Sequence, residues 1–482
     1  MNPLFSDYME SLHGVEAAVL GIGVSNTPLI RLLARAGARV TARDKKNRAA
    51  LAPLATELEA LGVNLMTGPN YLQDLREQRI YRTPGLRPDL PEIRAAVMAG
   101  SVLTSEMEDF LRICPCPVIA VTGSDGKTTT VTLIAELLRA EGRRVHLGGN
   151  IGQPLLCSAE DMEPSDIVVL ELSSFQLMTM KQSPQTAVVL NVTPNHLDMH
   201  LSMDEYVSAK ENIFIHQKPE DLLVLGADNA LTKSMAAKAS GHVRFFSREQ
   251  SATPGVYLCG SDIVYRDGSG EKTLMRAADI RIPGAHNVDN FMAACAAVWP
   301  LVRPETMAEV ARTFSGVPHR IQLVSERDGV RFYNDSIAST PARTLAGLRS
   351  FDRKVILIAG GYDKCVPFDA LGSGCVRHVK ALVLIGATAG AIRQAVENAP
   401  ADDGHPGVPP IYDAGDLETA VPLAGQLAAP GDVVLLSPAC ASFDQFKNFE
   451  ERGNRFVELV NQRKGPAGGR SNKTNNEEYK KD

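Results

Sequence analysis

A short glycine-rich segment, enclosed by an apolar run and a helical pattern, constrains the fold of this chain more than any other feature. The apolar run Val118–Val121 is typical of a buried strand, and TGSDGKTT (Thr122–Thr129) follows it directly. Over Val131–Gly142 the apolar residues have helical spacing, and the pattern stops at a glycine. A strand, a glycine-rich turn and a helix N-terminus in this order form an anion site, because backbone N–H groups and the helix dipole then face a phosphate chain.

The residues of this loop suit a nucleoside triphosphate. Gly123 and Gly126 allow the backbone to approach a phosphate closely. Lys127 supplies a positive charge, and the hydroxyl of Thr128 can bind Mg²⁺. The usual motif has a longer spacing between its glycines, and Val121 occupies the early glycine position, so an ordinary glycine turn is the alternative. The flanking strand and helix favour the nucleotide site.

The composition argues against several classes of protein. A chain of 482 residues is expected to form about two to four domains. A net charge of −6 and a pI near 6.0 argue against nucleic-acid binding. With no long apolar run and no signal peptide, we expect a cytoplasmic protein without membrane insertion. The eight cysteines are expected to be reduced, and the lone Cys114-x-Cys116 pair is too small a ligand set for structural zinc.

Strand and helix patterns alternate along the chain and predict an α/β fold. Thr27 is a candidate N-cap, followed by Pro28, between two predicted strands, which is the β-α-β start of a parallel sheet. The alternation resumes after the glycine-rich loop and gives way, over Val256–Ile282, to the short strands of a small antiparallel sheet. A third alternating segment begins near Val317, and its last predicted helix covers Phe443–Arg463.

The first predicted strand ends in a partial dinucleotide-binding motif. Gly21 and Gly23 match it, and Asp44 follows Gly23 by 21 residues, close to the spacing at which an acid binds a ribose. Asn26 stands where the third glycine belongs. A different phosphate-bearing ligand is therefore favoured over NAD.

Polar residues follow several other predicted strands, where open parallel sheets bind ligands. Glu171 ends an apolar strand and is either solvated or a Mg²⁺ ligand, and the preceding P-loop favours the metal role. His196 and Asp198 follow the next strand, where a surface turn is the simpler explanation. Lys210 falls on a predicted helix, and a lysine there is usually solvated.

The third segment brings further charged residues to strand ends or turns: Arg320, Asp335, Asp363 and Lys364. Cations there can neutralise the charge that develops during phosphoryl transfer. Ser437–Gly453 is a polar turn that leads into a helix N-terminus. Such a terminus suits a carboxylate ligand, although an ordinary capped helix is the simpler explanation.

Taken together, these motifs are similar to those of the Mur ligases, and the resemblance extends from Gly21 to Arg463. The segments that carry it are TGSDGKTT, GGNIGQP (Gly148–Pro154), LELSSFQL (Leu170–Leu177), NVTPNHLD (Asn191–Asp198), GAHNVDN (Gly284–Asn290), GVPHR (Gly316–Arg320) and SPACASFDQFKNFEERGNRF (Ser437–Phe456). LELSSFQL and the last segment resemble the branch of the family that adds D-glutamate.

The resemblance implies three α/β domains and a reaction. Residues 1–109 would form a Rossmann-like domain for a UDP-linked substrate, 110–315 a P-loop-type ATP-binding domain, and 316–465 a Rossmann-like C-terminal domain that closes over the site. Residues 466–482 lie outside the resemblance, and their polar, non-periodic sequence predicts a disordered tail. In the implied reaction, ATP phosphorylates the alanyl carboxylate of UDP-N-acetylmuramoyl-L-alanine (UDP-MurNAc-L-Ala). The amine of D-glutamate then attacks the acyl phosphate. A monomeric enzyme is expected.

The resemblance also implies catalytic residues, which are Lys127, Glu171, His196 and Lys210. Thr128 and Glu171 would bind one Mg²⁺ ion. His196 and Lys210 would bind a second, with Lys210 carbamylated by CO₂ so that a cation becomes a carboxylate-like anion. Two metal ions would reduce the repulsion between the substrate carboxylate and the γ-phosphate.

Three sets of ligand contacts follow from the resemblance. ATP is expected to contact Gly123, Ser124, Asp125, Gly126, Lys127, Thr128, Thr129, Asn287, Arg320 and Asp335. The UDP-linked substrate is expected to contact Val24, Ser25, Asp44, Lys45, Thr83, Pro84, Gly85, Asn150 and Ser173. D-Glutamate is expected to contact Ser339, Lys364, Ser442 and Phe449.

Two segments depart from the family pattern. Asn334–Thr340 has Ile337 where many members have a lysine and Ser339 where they have a threonine. The turn at Asp363 also differs, which leaves the role of that carboxylate open. The metal-binding set is intact, so we expect an active enzyme.

Three alternatives stay open at this point. One is a Mur-type or folylpolyglutamate-type ligase for a different amino acid. Another is a P-loop nucleotide-binding protein without enzymatic activity. The third is an NAD-dependent oxidoreductase that uses the first domain.

Overall fold

The computed structural model describes residues 2–23, 26–194, 199–249, 253–364, 366–400 and 407–462. The chain forms two compact units that divide between Phe314 and Ser315, with Ile282–Ala285 belonging to the second. Some predicted features lie outside the described residues, namely Val24, Ser25, His196, Asp198 and the tail 466–482. No helix in the described ranges combines the length and apolar character needed to cross a membrane.

The first unit begins with a five-stranded parallel sheet in the order β3-β2-β1-β4-β5. Its strands are β1 (Glu16–Leu20), β2 (Arg39–Asp44), β3 (Asn64–Thr67), β4 (Arg79–Arg82) and β5 (Val102–Thr104). Its helices are α1 (Pro3–Ser11), α2 (Asn26–Arg35), α3 (Leu54–Ala60), α4 (Pro91–Met98) and α5 (Glu106–Ile113). Ala17 and Val19 belong to one hydrophobic core and Ala18 and Leu20 to another, so both faces of β1 are covered, as in a Rossmann-like sheet.

The strand order reverses between β1 and β4, and ligands of open α/β sheets bind at such a switch point. Beside it, the Asp44 carboxylate accepts a hydrogen bond from Ile22 N at 2.7 Å. Helix α2 begins at Asn26, so the prediction of Thr27 as its N-cap is wrong. The Thr27 hydroxyl donates to Gly23 O at 2.8 Å instead of accepting from a helix N–H.

The glycine-rich loop belongs to a nine-stranded sheet of the same unit, in the order β14-β13-β12-β11-β10-β9-β6-β8-β7. Its strands are β6 (Val118–Thr122), β7 (Val145–Gly149), β8 (Ile167–Glu171), β9 (Thr186–Val189), β10 (Leu222–Gly226), β11 (His242–Ser247), β12 (Gly255–Cys259), β13 (Asp262–Asp267) and β14 (Gly270–Arg276). Its helices are α6 (Lys127–Ala140), α7 (Ser174–Leu177), α8 (Met203–Glu211), α9 (Ala230–Ser234), α10 (Ala285–Val298) and α11 (Pro304–Thr313). Strands β12–β14 pair antiparallel, which confirms the antiparallel sheet predicted for this region. Because β6 lies between β9 and β8, the loop that follows it is at the switch point of this sheet.

The second unit contains a six-stranded sheet in the order β15-β16-β20-β17-β18-β19. Its strands are β15 (Gln322–Arg327), β16 (Val330–Asn334), β17 (Val355–Gly360), β18 (Val379–Ile385), β19 (Ile411–Gly415) and β20 (Val433–Leu436). Its helices are α12 (Pro341–Leu348), α13 (Asp369–His378), α14 (Ala389–Glu397), α15 (Leu417–Leu427) and α16 (Phe449–Gln462). Leu357 and Ile358 of β17 enter different cores, so this sheet is also covered on both faces.

Helix α16 begins at Phe449, later than the predicted start at Phe443. Asn448 Oδ1 accepts a hydrogen bond from Glu451 N at 2.8 Å and so caps the first turn. Glu451 Oε2 in turn accepts from Lys447 N at 2.8 Å. This reciprocal bonding fixes the helix start, and residues 443–448 form turns instead.

A buried carboxylate joins four elements of the first unit. Asp109 of α5 is 1% exposed and accepts hydrogen bonds from the hydroxyls of Tyr8 and Tyr81, each at 2.8 Å. Its other oxygen accepts from Thr104 Oγ1 at 3.2 Å and from Arg112 Nη2 at 2.7 Å. Burial raises the pKa of both tyrosines, so their hydroxyls stay protonated and able to donate. Asp109 therefore links α1, β4 and β5 to its own helix.

Replacing Asp109 with alanine would leave two buried tyrosine hydroxyls without their acceptor. We expect Asp109→Ala to lower the free energy of unfolding of this sheet by about 3 kcal/mol. Amide hydrogen exchange of peptides from β1 and β4 would measure the change. As a control, Asp7→Ala removes an exposed carboxylate of α1 and should cost less than about 0.5 kcal/mol. Equal amide protection of the β1 and β4 peptides in wild type and in Asp109→Ala would contradict this role.

Candidate active site

The glycine-rich loop connects β6 to α6 and packs closely against its neighbours. Gly126 caps α6 with a φ of +84°, a left-handed conformation that favours glycine. A Cβ atom at Gly126 would lie 2.4 Å from Asn290 Oδ1, and one at Gly123 would lie 3.0 Å from Leu190 Cβ. Close packing therefore requires both glycines.

Hydrogen bonds to the segment after β9 fix the shape of the loop. Ser124 N donates to Asn191 O at 2.9 Å, and Ser124 Oγ lies 3.0 Å from Thr193 O. Asp125 N donates to Asn191 Oδ1 at 2.9 Å, and Asn191 Nδ2 donates back to Asp125 O at 3.1 Å. The loop is thus organised by the fold itself, which reduces the ordering cost of binding a ligand.

Lys127, the first residue of α6, lies over the loop that precedes it. Its Nζ donates to Gly123 O and to Ser124 O, each at 2.9 Å. These bonds hold the ammonium at a helix N-terminus, where the helix dipole also favours an anion. The lysine charge and the dipole together attract a phosphate to this end of α6.

Thr128 and Glu171 form a hydroxyl–carboxylate pair at the start of α6. Thr128 Oγ1 donates to Glu171 Oε2 at 2.7 Å, and Asn150 Nδ2 donates to Glu171 Oε1 at 2.9 Å. Glu171 ends β8 and is 2% exposed. Gly149 of β7 allows the backbones of β7 and β8 to lie close together here, because a Cβ atom at position 149 would lie 2.2 Å from the main-chain oxygen of Glu171. A hydroxyl and a carboxylate that converge beside a phosphate loop fit Mg²⁺, which prefers oxygen ligands.

Within the described part of the chain, no cluster of three or more histidine, cysteine, aspartate or glutamate side chains could hold a metal ion. The Thr128–Glu171 pair is nevertheless sufficient for Mg²⁺ that also binds phosphate oxygens and water, as is usual in phosphoryl-transfer sites. His196, the predicted imidazole ligand, lies outside the described residues.

Lys210 of α8 is 1% exposed and reaches the same loop. Its Nζ donates to Gly123 O at 2.8 Å and lies 4.5 Å from the centre of the Tyr206 ring. Burial, and secondarily the charge of Lys127, lower the pKa of Lys210 to about 7, while Asp125 acts in the opposite direction. The structure therefore shows a buried lysine where its sequence context alone indicates a solvated one.

Two buried asparagines of α10 adjoin the loop. Asn290 Oδ1 accepts a hydrogen bond from Thr130 Oγ1 at 3.2 Å, and Asn290 Nδ2 donates to Asn287 Oδ1 at 3.1 Å. Only Asn287 was predicted as a site residue. The spacing of three residues along a helix could have revealed Asn290, because such residues share a face.

The residues expected at the UDP end lie at the carboxyl ends of the first sheet. Asp44 ends β2 and also accepts a hydrogen bond from Lys46 N at 2.8 Å, and Lys45 beside it is exposed. Thr83–Gly85 follow β4 directly. Because β2, β1 and β4 are adjacent parallel strands, these residues share one edge of the sheet.

Ser173 caps α7, two residues after Glu171. Its hydroxyl accepts a hydrogen bond from Gln176 N at 3.3 Å, and Gln176 Oε1 accepts from Ser173 N at 3.0 Å, which is a capping box. Ser173 and Asn150, the predicted contacts along the rest of the substrate, therefore both lie next to Glu171.

In the second unit, Asp335 is a buried carboxylate just after β16. It accepts hydrogen bonds from Ser437 Oγ at 2.7 Å and from Ile321 N at 3.3 Å. Burial raises the pKa of Asp335 to about 7, against the opposite effects of these bonds and of Arg320. Arg320 lies between His319 and Ile321, whose φ angles of +64° and +42° are rare outside glycine. Such strained backbone is concentrated at functional sites.

Three of the residues expected to bind D-glutamate follow neighbouring strands. Ser339 follows β16, Ser442 follows β20 and Lys364 follows β17, and these strands are adjacent in the order β16-β20-β17. Ser442 is buried, Ser339 is half-buried and Lys364 is exposed. Phe449, which is half-buried, begins α16.

A buried arginine that the sequence does not reveal connects these segments. Arg452 of α16 is 1% exposed and donates to Cys440 O and Ala441 O, both at 3.1 Å. It also donates to Ser336 O at 2.9 Å and to Ser336 Oγ at 3.0 Å. It thus joins the segment after β16 to the segment after β20. An arginine on a helix is usually solvated, so its sequence context gives no signal of this role.

A segment of each unit matches a model of the same protein family. Residues 121–298 match the Mur ligase middle domain, and residues 319–440 match the Mur ligase glutamate ligase domain. The first match contains the loop, Glu171 and Lys210, and the second contains Asp335 and Lys364.

Solved structures share the three-domain α/β fold. UDP-N-acetylmuramate–alanine ligase from Thermotoga maritima has a TM-score of 0.53 at 20% identity, and the similarity covers 93% of this chain and 99% of that chain. The structure titled UDP-N-acetylmuramoyl-L-alanyl-D-glutamate–2,6-diaminopimelate ligase has a TM-score of 0.54 at 18% identity, over 92% of this chain and 93% of that chain.

Curated relatives match over nearly their full length. A protein from Acetivibrio thermocellus named UDP-N-acetylmuramoylalanine–D-glutamate ligase is 52% identical over 462 residues, which are 96% of this chain and 99% of the relative. A protein of the same name from Clostridium novyi is 47% identical, over 96% of this chain and 100% of the relative. With both domain matches, this identity shows that the chain belongs to the Mur ligase family.

Proposed function

We propose that this protein is an ATP-dependent ligase that joins the alanyl carboxylate of UDP-MurNAc-L-Ala to the amine of D-glutamate, a step of peptidoglycan precursor synthesis. The observation that carries the proposal is the Thr128–Glu171 pair, with its 2.7 Å hydrogen bond, at the N-terminus of the P-loop helix. A relative named for this reaction, 52% identical over 96% of the chain, supports the choice of substrates.

The ATP phosphates bind the glycine-rich loop in this proposal. Loop N–H groups, the dipole of α6 and the charge of Lys127 all attract an anion to one place. The bonds of Ser124 and Asp125 to Asn191 keep the loop in shape. Mg²⁺ held by Thr128 and Glu171 would neutralise phosphate charge and so reduce its repulsion of the substrate carboxylate.

Two substitutions complete the reaction. A carboxylate oxygen of the alanyl group attacks the γ-phosphorus, the bond from that phosphorus to the β–γ bridging oxygen breaks, and ADP leaves with the electron pair. The amine of D-glutamate then attacks the acyl carbon. The carbon–oxygen bond breaks, phosphate leaves, and the nitrogen loses a proton to give the amide. Water must be excluded, because an acyl phosphate hydrolyses.

The substrate is proposed to extend from the first sheet to the P-loop. Its uridine diphosphate binds near Asp44 and Thr83–Gly85, at the switch point between β1 and β4. The muramoyl-alanine part passes Ser173 and Asn150. Two observations support this path: Ser173 follows Glu171 by two residues, and Asn150 donates a hydrogen bond to the Glu171 carboxylate at 2.9 Å.

For D-glutamate, we propose Lys364 and the start of α16 as the carboxylate-binding elements of the second unit, with Ser339, Ser442 and Phe449 beside them. Arginine at position 452 supports this set because its bonds hold the segments that carry the two serines. The domain limits 1–109, 110–315 and 316–465 and a monomeric state stay predictions. We expect a cytoplasmic location, where ATP and these substrates are dissolved.

We also propose that Lys210 is carbamylated. Its side chain is buried against Gly123 O and near the charge of Lys127, an unfavourable place for a second ammonium. Addition of CO₂ to the amine forms a carbamate and releases a proton. The resulting anion would bind a second Mg²⁺ ion together with His196.

Purified protein supplied with ATP, Mg²⁺, UDP-MurNAc-L-Ala and D-glutamate should form UDP-MurNAc-L-Ala-D-Glu. Mass spectrometry would detect the product, and a coupled assay should find one ADP for each amide. L-Glutamate and D-alanine should not replace D-glutamate. No ADP with all substrates present would overturn the proposal, and product with another amino acid alone would assign a different ligase.

Lys127→Met removes the charge that faces the triphosphate. We expect the rate of phosphate release to fall by about 10³-fold while the protein stays folded by circular dichroism. Lys181→Met is the matched control, because Lys181 is an exposed lysine of the same unit and should leave the rate unchanged. A Lys127→Met variant with most of the wild-type rate would rule out the P-loop assignment.

Lys210→Ala should lower the rate by about 10²-fold or more, because it removes the carbamate. Formate or acetate should restore part of the activity, since a free carboxylate can occupy the place of the carbamate. The same anions should not help Lys127→Met. Absence of rescue by any short carboxylate would count against carbamylation.

A further inference from the structure

Arg82, the last residue of β4, is a buried arginine directly before the loop proposed to bind uridine diphosphate. It is 2% exposed. Its Nη1 donates to Leu86 O at 2.7 Å and to Pro84 O at 3.0 Å, with a longer contact to Thr83 O at 3.4 Å. One guanidinium nitrogen therefore lies among three carbonyls of this loop and holds it in a tight curve.

The other end of the guanidinium contacts a different part of the first unit. Nη2 donates to Phe175 O at 2.8 Å and lies 3.4 Å from Thr179 Oγ1. Phe175 belongs to α7, whose N-cap is Ser173 and whose preceding strand ends at Glu171. A single side chain thus bridges the loop after β4 and the segment after β8.

The charge of Arg82 has no close carboxylate partner in the ranges that the structure describes, and its hydrogen bonds go mainly to main-chain carbonyls. Burial lowers the pKa of Arg82 to about 10, and Glu108 acts in the opposite direction, so the group stays charged at neutral pH. A buried charge is costly unless its bonds are well formed. The Nε of this guanidinium already lacks a hydrogen-bond partner, so moving either segment would leave further donors of a buried cation unsatisfied, and the bridge resists such movement.

We propose that Arg82 is a positioning residue that sets the distance between the loop at the uridine diphosphate end and the segment that leads to the reacting carboxylate. The inference rests on the proposed function, in which one substrate molecule spans both segments. Displacing a reacting group by about 1 Å can cost on the order of 10²-fold in rate. A fixed link between the two ends of the substrate path prevents such a displacement.

A second arginine of the same loop strengthens the link. Arg87 Nη2 donates to Glu205 Oε1 at 2.8 Å, and Glu205 lies in the first turn of α8, the helix that carries Lys210. Arg87 is partly exposed and also pairs with Asp89, so it is a weaker connection than Arg82. The loop after β4 is nevertheless bonded to both α7 and α8.

The test compares steady-state kinetics of Arg82→Ala and Arg82→Lys with wild type. For Arg82→Ala we expect KM for UDP-MurNAc-L-Ala to rise and kcat to fall, each by about tenfold, while KM for ATP and for D-glutamate changes by less than about twofold. Arg82→Lys keeps the charge but can form fewer hydrogen bonds, so its KM and kcat should lie between those of wild type and Arg82→Ala. Low concentrations of guanidinium ion should partly restore the KM and kcat of Arg82→Ala.

Arg39→Ala is the matched control. Arg39 is an exposed arginine at the opposite end of the same sheet, paired with Glu16 at 3.0 Å, and its loss should leave all kinetic constants unchanged. If Arg82→Ala does not fold, the inference is tested on the Arg82→Lys variant by its KM, its kcat and its melting temperature. Lower melting temperature with unchanged KM and kcat would show a merely structural role and overturn the inference. Wild-type protein that forms no product would instead overturn the proposed function.

Discussion

One main-chain carbonyl holds much of the candidate site together. The oxygen of Gly123 accepts hydrogen bonds from Lys127 at 2.9 Å and from Lys210 at 2.8 Å. Both ammonium groups therefore depend on the conformation of the glycine-rich loop, which the bonds to Asn191 maintain. Two ammonium groups on one carbonyl repel each other, and after burial the charge of Lys127 is the second cause of the lowered pKa of Lys210. Conversion of Lys210 to a carbamate, as proposed above, would remove this repulsion and leave the charge of Lys127 to attract the triphosphate.

Each of the two units uses a buried arginine to shape the loops that follow its strands. Arg82 does so in the first unit and Arg452 in the second, and burial lowers the pKa of each to about 10. Loops beyond strand ends lack the regular bonds of a sheet, so their carbonyls need other donors. A guanidinium offers five N–H groups in one plane and can satisfy several carbonyls at once. Lysine, with a compact charge on a flexible stem, could not join the same set of atoms.

The sequence predicts those parts of the structure that depend on local pattern. The α/β fold follows from the alternating patterns, and the structure confirms it. The structure also has the predicted order of strand, glycine-rich turn and helix over residues 118–140. Arg82 and Arg452 could not be predicted, because arginines in such contexts are usually solvated and only tertiary packing buries them, whereas the helical spacing from Asn287 could have revealed Asn290. The edge strands β15 and β19 have no clear sequence signal, because their residues are mostly polar or half-exposed and form no apolar run. The start of α16 was misplaced because Asn448 and Glu451 decide it through side-chain bonds.

Ile337 stands where the resemblance to the Mur ligases leads us to expect a lysine, and this has a consequence for inhibitor selectivity. The main-chain N–H of Ile337 donates a hydrogen bond to His319 O at 3.1 Å, and its side chain is half-buried. This position therefore carries a branched hydrocarbon and no cation in this protein. A compound designed to form an ion pair with a lysine at this position would meet a branched hydrocarbon here. An apolar substituent at the same point would instead discriminate in favour of this protein.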